Sequence, residues 1–303
     1  MTLVDDILRL KREKKAIILA HNYQRPEVQD ISDYVGDSIE LSRRAMEEQG
    51  AKIIVFAAVD FMAESAAILN PEKKVLLPCS GSKCPMAHML PVEQLKLWKQ
   101  RYPKTPTVLY VNSLAEAKAE CDICCTSANA VEVVEAVDSE TVLFGPDRNL
   151  AEYVQEKTGK QVIPVPPQGF CPAHVVIMKE EVMEQKQVHP DAVVAVHPEC
   201  SRAVREIADF VGSTSQICRY TRASSANKLI IGTEVGILHK LRKENPDRQF
   251  FPVYEDATCT AMKLTSLERL RRSLVEEQGV VTVPNKIAKK ARESLENMFA
   301  LTE

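Results

Sequence analysis

The chain has 303 residues, 45% of them hydrophobic, and its 39 basic and 42 acidic side chains leave a net charge of −3. That supplies apolar material for a large core and two or three domains, and no run of Lys or Arg is interleaved with aromatics, which argues against nucleic acid as a partner. The longest purely apolar run, Ile53 to Val59, is too short to cross a bilayer, and the start Met-Thr-Leu-Val-Asp-Asp has neither a basic region nor a hydrophobic stretch, which predicts a cytoplasmic protein.

Short β-rich runs alternate with helical stretches, the signature of parallel α/β units. Strands are predicted at Ala16 to Ala20, Lys52 to Ala58 and Lys74 to Leu77, with helices at Glu40 to Gln49 and Phe61 to Leu69. The plan recurs with strands at Thr107 to Val111, Thr141 to Phe144 and Gln161 to Val165, and helices at Ala130 to Val137 and Leu150 to Thr158. It recurs again with strands at Ala192 to Val196, Lys228 to Ile231 and Phe250 to Val253, and helices at Arg202 to Ala208 and Val235 to Lys243. The remainder, Thr265 to Glu303, reads as two helices around a strand at Val280 to Val283, closing back on the first unit. Continuously apolar strands have both sheet faces covered. The predicted fold class is therefore α/β: three similar three-layer αβα lobes with short parallel sheets, in pseudo-threefold arrangement around a central site. The first lobe takes residues 1–88 plus the closing helices of 266–303, the second 89–176 and the third 177–265.

An internal repeat supports this division. Asp33-Tyr-Val-Gly-Asp-Ser38, Asp122-Ile-Cys-Cys-Thr-Ser127 and Asp209-Phe-Val-Gly-Ser-Thr214 share an acidic first and a hydroxyl sixth position, and the hydroxyls lie 89 and 87 residues apart. His21, Tyr110 and His197 keep the period, as do Asp60, Asp147 and Glu234, and as do Cys84, Cys171 and Cys259. A long repeat with one cysteine per copy in register predicts three lobes each offering a sulfur to a common centre.

Ligands of parallel sheets gather beyond the carboxyl ends of strands, and residues i and i+2 of an extended segment face one side. His21 with Tyr23, Tyr110 with Asn112, and His197 with Glu199 thus form three polar pairs predicted to meet in one cavity. Ser38, Ser127 and Thr214 are candidate helix caps that also present helix starts to anions, and Ser213 adds a donor. Asp60, Asp147 and Glu234 precede helices and read as caps.

Nine cysteines without a secretory signal read as reduced thiols, some of them metal ligands. Cys84 and Cys171 precede Pro85 and Pro172, so each is a candidate N-cap whose thiolate a helix end stabilises. Structural zinc draws four ligands from local pairs, whereas three widely separated cysteines fit a [4Fe-4S] cluster with one iron left open. Cys121-x-x-Cys124-Cys125 resembles a redox pair by spacing, yet in register Cys124 and Cys125 replace Val35 and Gly36, so they read as small buried hydrophobes. Cys79, Cys200 and Cys218 have no counterparts in the other copies, although Cys200 is placed to edge the cavity.

The combination of Ala20-His21-Asn22-Tyr23-Gln24, Val35-Gly36-Asp37-Ser38, Val59-Asp60-Phe61-Met62-Ala63-Glu64, Tyr110-Val111-Asn112-Ser113, Thr126-Ser127-Ala128-Asn129-Ala130, Phe144-Gly145-Pro146-Asp147, His197-Pro198-Glu199-Cys200 and Gly212-Ser213-Thr214 closely resembles the quinolinate synthase family, over almost the whole chain. The resemblance implies a [4Fe-4S] cluster on Cys84, Cys171 and Cys259, and condensation of iminoaspartate with dihydroxyacetone phosphate to quinolinate for NAD biosynthesis. It further implies Tyr23 and Glu199 as proton shuttles and His21 and His197 as groups orienting carboxylates or phosphate. Ser38, Ser127, Ser213 and Thr214 would bind anionic groups, and Tyr110 and Asn112 would position the triose. His174, three residues after a ligand, stands either behind the ligands or at the surface. An enzyme that supplies iminoaspartate is a candidate transient partner. Two other readings are a different three-lobed cluster enzyme, of the diphthamide-synthesis or isoprenoid-reductase kind, and a cluster-bearing sensor without turnover. The His-Asn-Tyr and His-Pro-Glu pairs speak against the first, and the absence of an obvious output domain against the second.

Overall fold

The computed structural model describes residues 2–301, so Met1 and residues 302–303, expected within the first lobe, lie outside the described residues. The first unit runs α1 (Leu3–Glu13), β1 (Ala16–His21), α2 (Pro26–Ile31), β2 (Tyr34–Gly36), α3 (Ser38–Glu47), β3 (Ile53–Ala57), α4 (Asp60–Leu69) and β4 (Lys74–Leu76). The second runs α5 (Val92–Arg101), β5 (Thr107–Tyr110), α6 (Ala115–Lys118), β6 (Ile123–Cys125), α7 (Ala130–Ala136), β7 (Thr141–Gly145), α8 (Arg148–Thr158) and β8 (Gln161–Pro164). The third runs α9 (Pro172–Val175), α10 (Lys179–Val188), β9 (Val193–Val196), α11 (Arg202–Arg205), β10 (Phe210–Val211), α12 (Thr214–Ala223), β11 (Lys228–Gly232), α13 (Ile237–Glu244) and β12 (Gln249–Pro252). Two helices follow, α14 (Leu267–Glu276) and α15 (Asn285–Ala300).

The strands form three four-stranded parallel sheets of one topology: β2-β1-β3-β4, β6-β5-β7-β8 and β10-β9-β11-β12. Alternate residues of each apolar strand enter different cores. In the first sheet Ile18, Ala20 and Val55 pack with Ile7 and Leu10 of α1 and with Leu270 and Leu274 of α14. Leu19, Ile54 and Phe56 pack instead with Leu41 and Ala45 of α3. Three similar αβα lobes result.

The repeated acidic residue has a structural role. Asp33, Asp122 and Asp209 each accept the backbone N–H of a residue in the neighbouring first strand, Ile18, Thr107 and Val194, at 2.7, 2.7 and 2.8 Å. Each also donates its own N–H back to the carbonyl of that same residue, at 2.9, 3.1 and 2.9 Å. This reciprocal clip sets the strand register: Ala20 lies opposite Val35, Leu109 opposite Cys124 and Val196 opposite Val211.

The tail differs from the expected strand at Val280 to Val283. Only Val280 bridges Leu76, antiparallel, because Gly279 (φ 78°) turns the chain immediately before it and Pro284 starts the approach to α15 immediately after. Gly279 has no room for a side chain, since a Cβ would sit 2.2 Å from the Leu77 carbonyl oxygen. The closing helices also part company: α14 packs on α1, whereas α15 lies chiefly against β6 and α6 of the second lobe.

Candidate active site

The strand ends of all three lobes open into one cavity. It is lined by His21, Tyr23, Tyr110, Asn112, His197 and Glu199, the six side chains predicted from the strand-end pattern. Ser38, Ser127 and Thr214 line it as well, and so do Cys84, Cys171 and Cys259. Ser213 does not. It is wholly buried as the N-cap of α12, accepting the N–H of Gln216 at 3.3 Å and donating to Asp37 Oδ2 at 3.4 Å.

The cap positions are displaced from the repeated hydroxyls, by one residue at Ser38 and Thr214 and by two at Ser127. The side-chain caps of α3 and α12 are Asp37 and Ser213, and Asn129 occupies the cap position of α7, so Ser38, Ser127 and Thr214 are not the caps the spacing suggests. Their hydroxyls turn to the cavity and its walls: Thr214 Oγ1 accepts from Asn22 Nδ2 at 2.9 Å across two lobes, and Ser127 Oγ lies 3.2 Å from His197 Nε2. Asp37, which sequence patterns did not single out, lines the cavity beside Ser38, and burial raises its carboxyl above the ordinary range.

The two histidines at strand ends are held alike. His21 Nδ1 accepts the Tyr23 N–H at 3.2 Å, and His197 Nδ1 accepts the Glu199 N–H at 3.3 Å. Burial lowers both imidazoles to about 3, so they are neutral near pH 7. With Nδ1 an acceptor, Nε2 carries the proton, and each ring offers one N–H donor.

Tyr23 and Glu199 are joined through two side chains. Tyr23 Oη lies 2.6 Å from Thr233 Oγ1, Thr233 Oγ1 lies 2.8 Å from His174 Nε2, and His174 Nδ1 lies 2.8 Å from Glu199 Oε2. Burial and the nearby Glu199 charge raise the Tyr23 phenol well above its usual range. Burial alone would raise Glu199 too, but His174 and His197 beside it pull its carboxyl below the usual range. Tyr110 lines the cavity with Glu199 and Ser127, and Asn112 Oδ1 has no hydrogen-bond partner among the described residues. His174 is therefore buried in the site, not at the surface, with 1% exposure. Thr233 was missed by sequence reasoning. Its signal is a polar side chain at the position that Val59 and Pro146 occupy in the other copies, just before Glu234, Asp60 and Asp147.

Cys171 is the N-cap of α9 with Pro172 in the first helical position, as the sequence suggests, but Cys84 and Cys259 each lead into a single 3₁₀ turn, Ala87–Met89 and Met262–Leu264. Burial pushes all three thiols up, which outweighs any helix-end stabilisation of the thiolate. Cys171 Sγ, one ring nitrogen of His174 and one carboxylate oxygen of Glu199 lie within 4.8 Å of one another and could hold a metal ion. His174 Nε2 lies 2.8 Å from Thr233 Oγ1, while its Nδ1 approaches Glu199 Oε2 at 2.8 Å without completing a hydrogen bond. Cys200 does not edge the cavity; it is fully buried in the third lobe with its thiol 3.3 Å from the Gly232 carbonyl oxygen. Cys124 and Cys125 are fully buried core residues, as their register predicts.

A family model described as Quinolinate synthetase A protein matches residues 5–300. The quinolinate synthase of Methanothermobacter thermautotrophicus is 52% identical over 298 residues, 98% of each chain. That of Pyrococcus horikoshii is 50% identical over 303 residues, the full length of both, and that of Thermotoga maritima 50% identical over 299 residues, 99% of each. With its three repeated lobes and one shared cavity, this chain belongs to the quinolinate synthase family.

Proposed function

We propose that this protein condenses iminoaspartate with dihydroxyacetone phosphate to quinolinate, phosphate and two waters, a transferase reaction (EC 2.5.1 class) of cytoplasmic NAD biosynthesis. The balance closes without an oxidant: the seven carbons and one nitrogen of the two substrates are those of quinolinate, and phosphate and two waters carry the remaining atoms. The observation that carries the reading is the convergence of three sulfurs and three polar strand-end pairs, one set per lobe, on one cavity.

Cys84, Cys171 and Cys259 would hold a [4Fe-4S] cluster. Three thiols from three lobes, with no Lys or Arg among the cavity's lining residues, suit a metal centre that supplies its own positive charge and deprotonates its ligands. Such a cluster with one iron free of protein sulfur supplies a Lewis acid.

The protein's own groups supply the rest. Two residues with protonation preferences pushed apart divide acid and base work: ionised Glu199 removes protons, and the Tyr23 phenol gives one up. Thr233 and His174 between them restore the starting protonation of both groups after each transfer. The neutral rings of His21 and His197 donate Nε2–H bonds to carboxylates without adding charge. Ser38, Ser127 and Thr214, at or just before the N-termini of α3, α7 and α12, receive the phosphate or carboxylates, helped by the positive helix ends. The Asn112 Oδ1 atom accepts a triose hydroxyl, and Tyr110 holds that substrate against Glu199. Ser213 acts indirectly, by capping the helix that carries Thr214. An imine exposed to water hydrolyses, so delivery by transient contact with the enzyme that makes iminoaspartate fits the substrate's chemistry. The lobes take the division 1–88 with 266–303, 89–176 and 177–265, although α15 of the closing segment packs chiefly on the second lobe.

The test is an anaerobic assay with oxaloacetate, ammonia and dihydroxyacetone phosphate. Quinolinate and phosphate released in equal amounts support the reading; phosphate release without quinolinate overturns it.

A further inference from the structure

Each candidate ligand cysteine is tied to a carboxylate of its own lobe. The backbone N–H of Cys84 donates to Asp60 Oδ1 at 2.9 Å, that of Cys171 to Asp147 Oδ2 at 3.0 Å, and that of Cys259 to Glu234 Oε1 at 3.1 Å. The acceptors sit 24, 24 and 25 residues before their cysteines, at the same point of the repeat, immediately after the third strand in chain order of each lobe. Sequence reasoning took them for helix caps, which they are in part: Asp147 Oδ1 also accepts the Leu150 N–H at 2.8 Å, and Glu234 Oε2 the Gly236 N–H at 2.7 Å. Capping accounts for one carboxylate oxygen in each of these two. The other oxygen is spent on the cysteine.

We infer that Asp60, Asp147 and Glu234 are positioning residues for the three sulfurs, fixing each cysteine's backbone so that the thiolates meet at the distance a shared cluster requires. The inference rests on the reading of Cys84, Cys171 and Cys259 as its ligands. A carboxylate that accepts the ligand's own N–H locks the Cα of that residue, and with it the direction of Cβ and Sγ, to a strand end of the rigid sheet. Without this anchor each cysteine would ride on a loop several residues beyond the last strand of its lobe.

The three anchors differ in charge balance. Asp60 Oδ2 lies 2.7 Å from His88 Nε2, and Glu234 Oε1 lies 2.8 Å from Lys263 Nζ. Asp147 is fully buried and has no cationic side chain within 4 Å among the described residues; backbone N–H groups of Leu150, Asn149 and Cys171 hold it alone.

The experiment compares anaerobically purified wild type with Asp60→Ala, Asp147→Ala and Glu234→Ala, with the amide variants Asp60→Asn, Asp147→Asn and Glu234→Gln, and with Asp122→Ala as control. Asp122 makes the same kind of backbone bond but at a strand clip away from Cys84, Cys171 and Cys259. Readouts are iron and sulfide content, the rate of iron release to a ferrous chelator, the reduction potential of the cluster and its electron paramagnetic resonance spectrum after reduction. The alanine variants lose iron about tenfold faster than wild type, as expected for loss of a hydrogen bond to a charged acceptor. The amide variants, which keep an acceptor oxygen, stay within about threefold. Asp122→Ala unfolds at lower temperature but releases iron at the wild-type rate. Where an alanine variant does not accumulate, the amide variant decides: its cluster potential and spectrum differ from those of wild type, because the amide holds the cysteine N–H less tightly than the carboxyl does. Iron release and potential in all Asp60, Asp147 and Glu234 variants that match Asp122→Ala overturn the inference while leaving the cluster in place. Wild type without iron and sulfide overturns the ligand reading itself, and this inference with it.

Discussion

His174 Nδ1 lies 2.8 Å from Glu199 Oε2, between side chains that are 1% and 2% exposed. Through Thr233 the same ring reaches the Tyr23 hydroxyl, so the two groups with opposite protonation preferences belong to one continuous chain of contacts. A buried polar chain of this kind works as a unit, and without Thr233 only the longer 3.4 Å approach of Tyr23 Oη to His174 Nε2 would join its ends.

Thr233→Val should therefore lower kcat by about a hundredfold with KM little changed, a loss in the range of general acid-base catalysis. The Val keeps the volume but leaves Tyr23 and His174 without their shared partner. His174→Gln should show a similar loss. Steady-state kinetics at saturating triose phosphate check both; a rise in KM at constant kcat would assign Thr233 to substrate binding instead.

The histidines give the fold a pH dependence with a definite sign. His21 and His197 are lowered to about 3, first by burial, from an unfolded value of roughly 6.5. A depressed folded pKa favours the neutral form, so their contribution to stability is complete above about pH 6.5 and drains away as pH falls toward 3. Denaturant titrations of the iron-free chain at pH 7.5, 6.5 and 5.5 should show stability falling with acidification, by up to about 1.4 kcal/mol per pH unit for each histidine. His197→Gln should flatten that slope, and an unchanged slope would show that its ring titrates alike in the folded and unfolded chain.

The strand clips make a separate prediction about stability alone. Asp209→Ala removes the acceptor of the Val194 N–H and leaves that donor unmatched at the edge of β9. The cost should be about 1–2 kcal/mol, read as a lower denaturation midpoint. Cofactor content should stay at the wild-type level.

How far these features were legible in the chain depended on periodicity. The 87 to 89 residue repeat exposed the lobes, the strand-end pairs and the three cysteines because each recurs in register. The recurrence of Asp33, Asp122 and Asp209 was legible, but not the strand clip it reflects, because backbone bonds leave no residue pattern beyond the acidic side chain. Features confined to one copy were not legible. Thr233 has apolar counterparts, so no repeat pointed to it, and burial of His174 follows from packing between lobes that no local pattern encodes. The hydroxyls at Ser38 and Thr214 were assigned as caps because spacing does not distinguish the cap from the first helical residue; backbone dihedral angles do. The placement of α15 on the second lobe depends on long-range packing around Cys124 and Ser294, whose Sγ and Oγ lie 3.4 Å apart.

Cys121 and Cys124 test the separation of structural from metal-binding sulfur. Their Sγ atoms lie 3.9 Å apart, yet neither lines the cavity. Cys124→Ser should leave iron content unchanged, by metal analysis of the anaerobic protein, and loss of iron would place this pair among the ligands.

Iron and acid-labile sulfide measured in anaerobically prepared Cys84→Ser, Cys171→Ser and Cys259→Ser, beside the wild type, test the central claim most directly. Wild type should hold about four of each per chain, and every single replacement should lose both together with quinolinate formation. A full complement of iron and sulfide in all three variants would contradict a cluster shared by the three lobes.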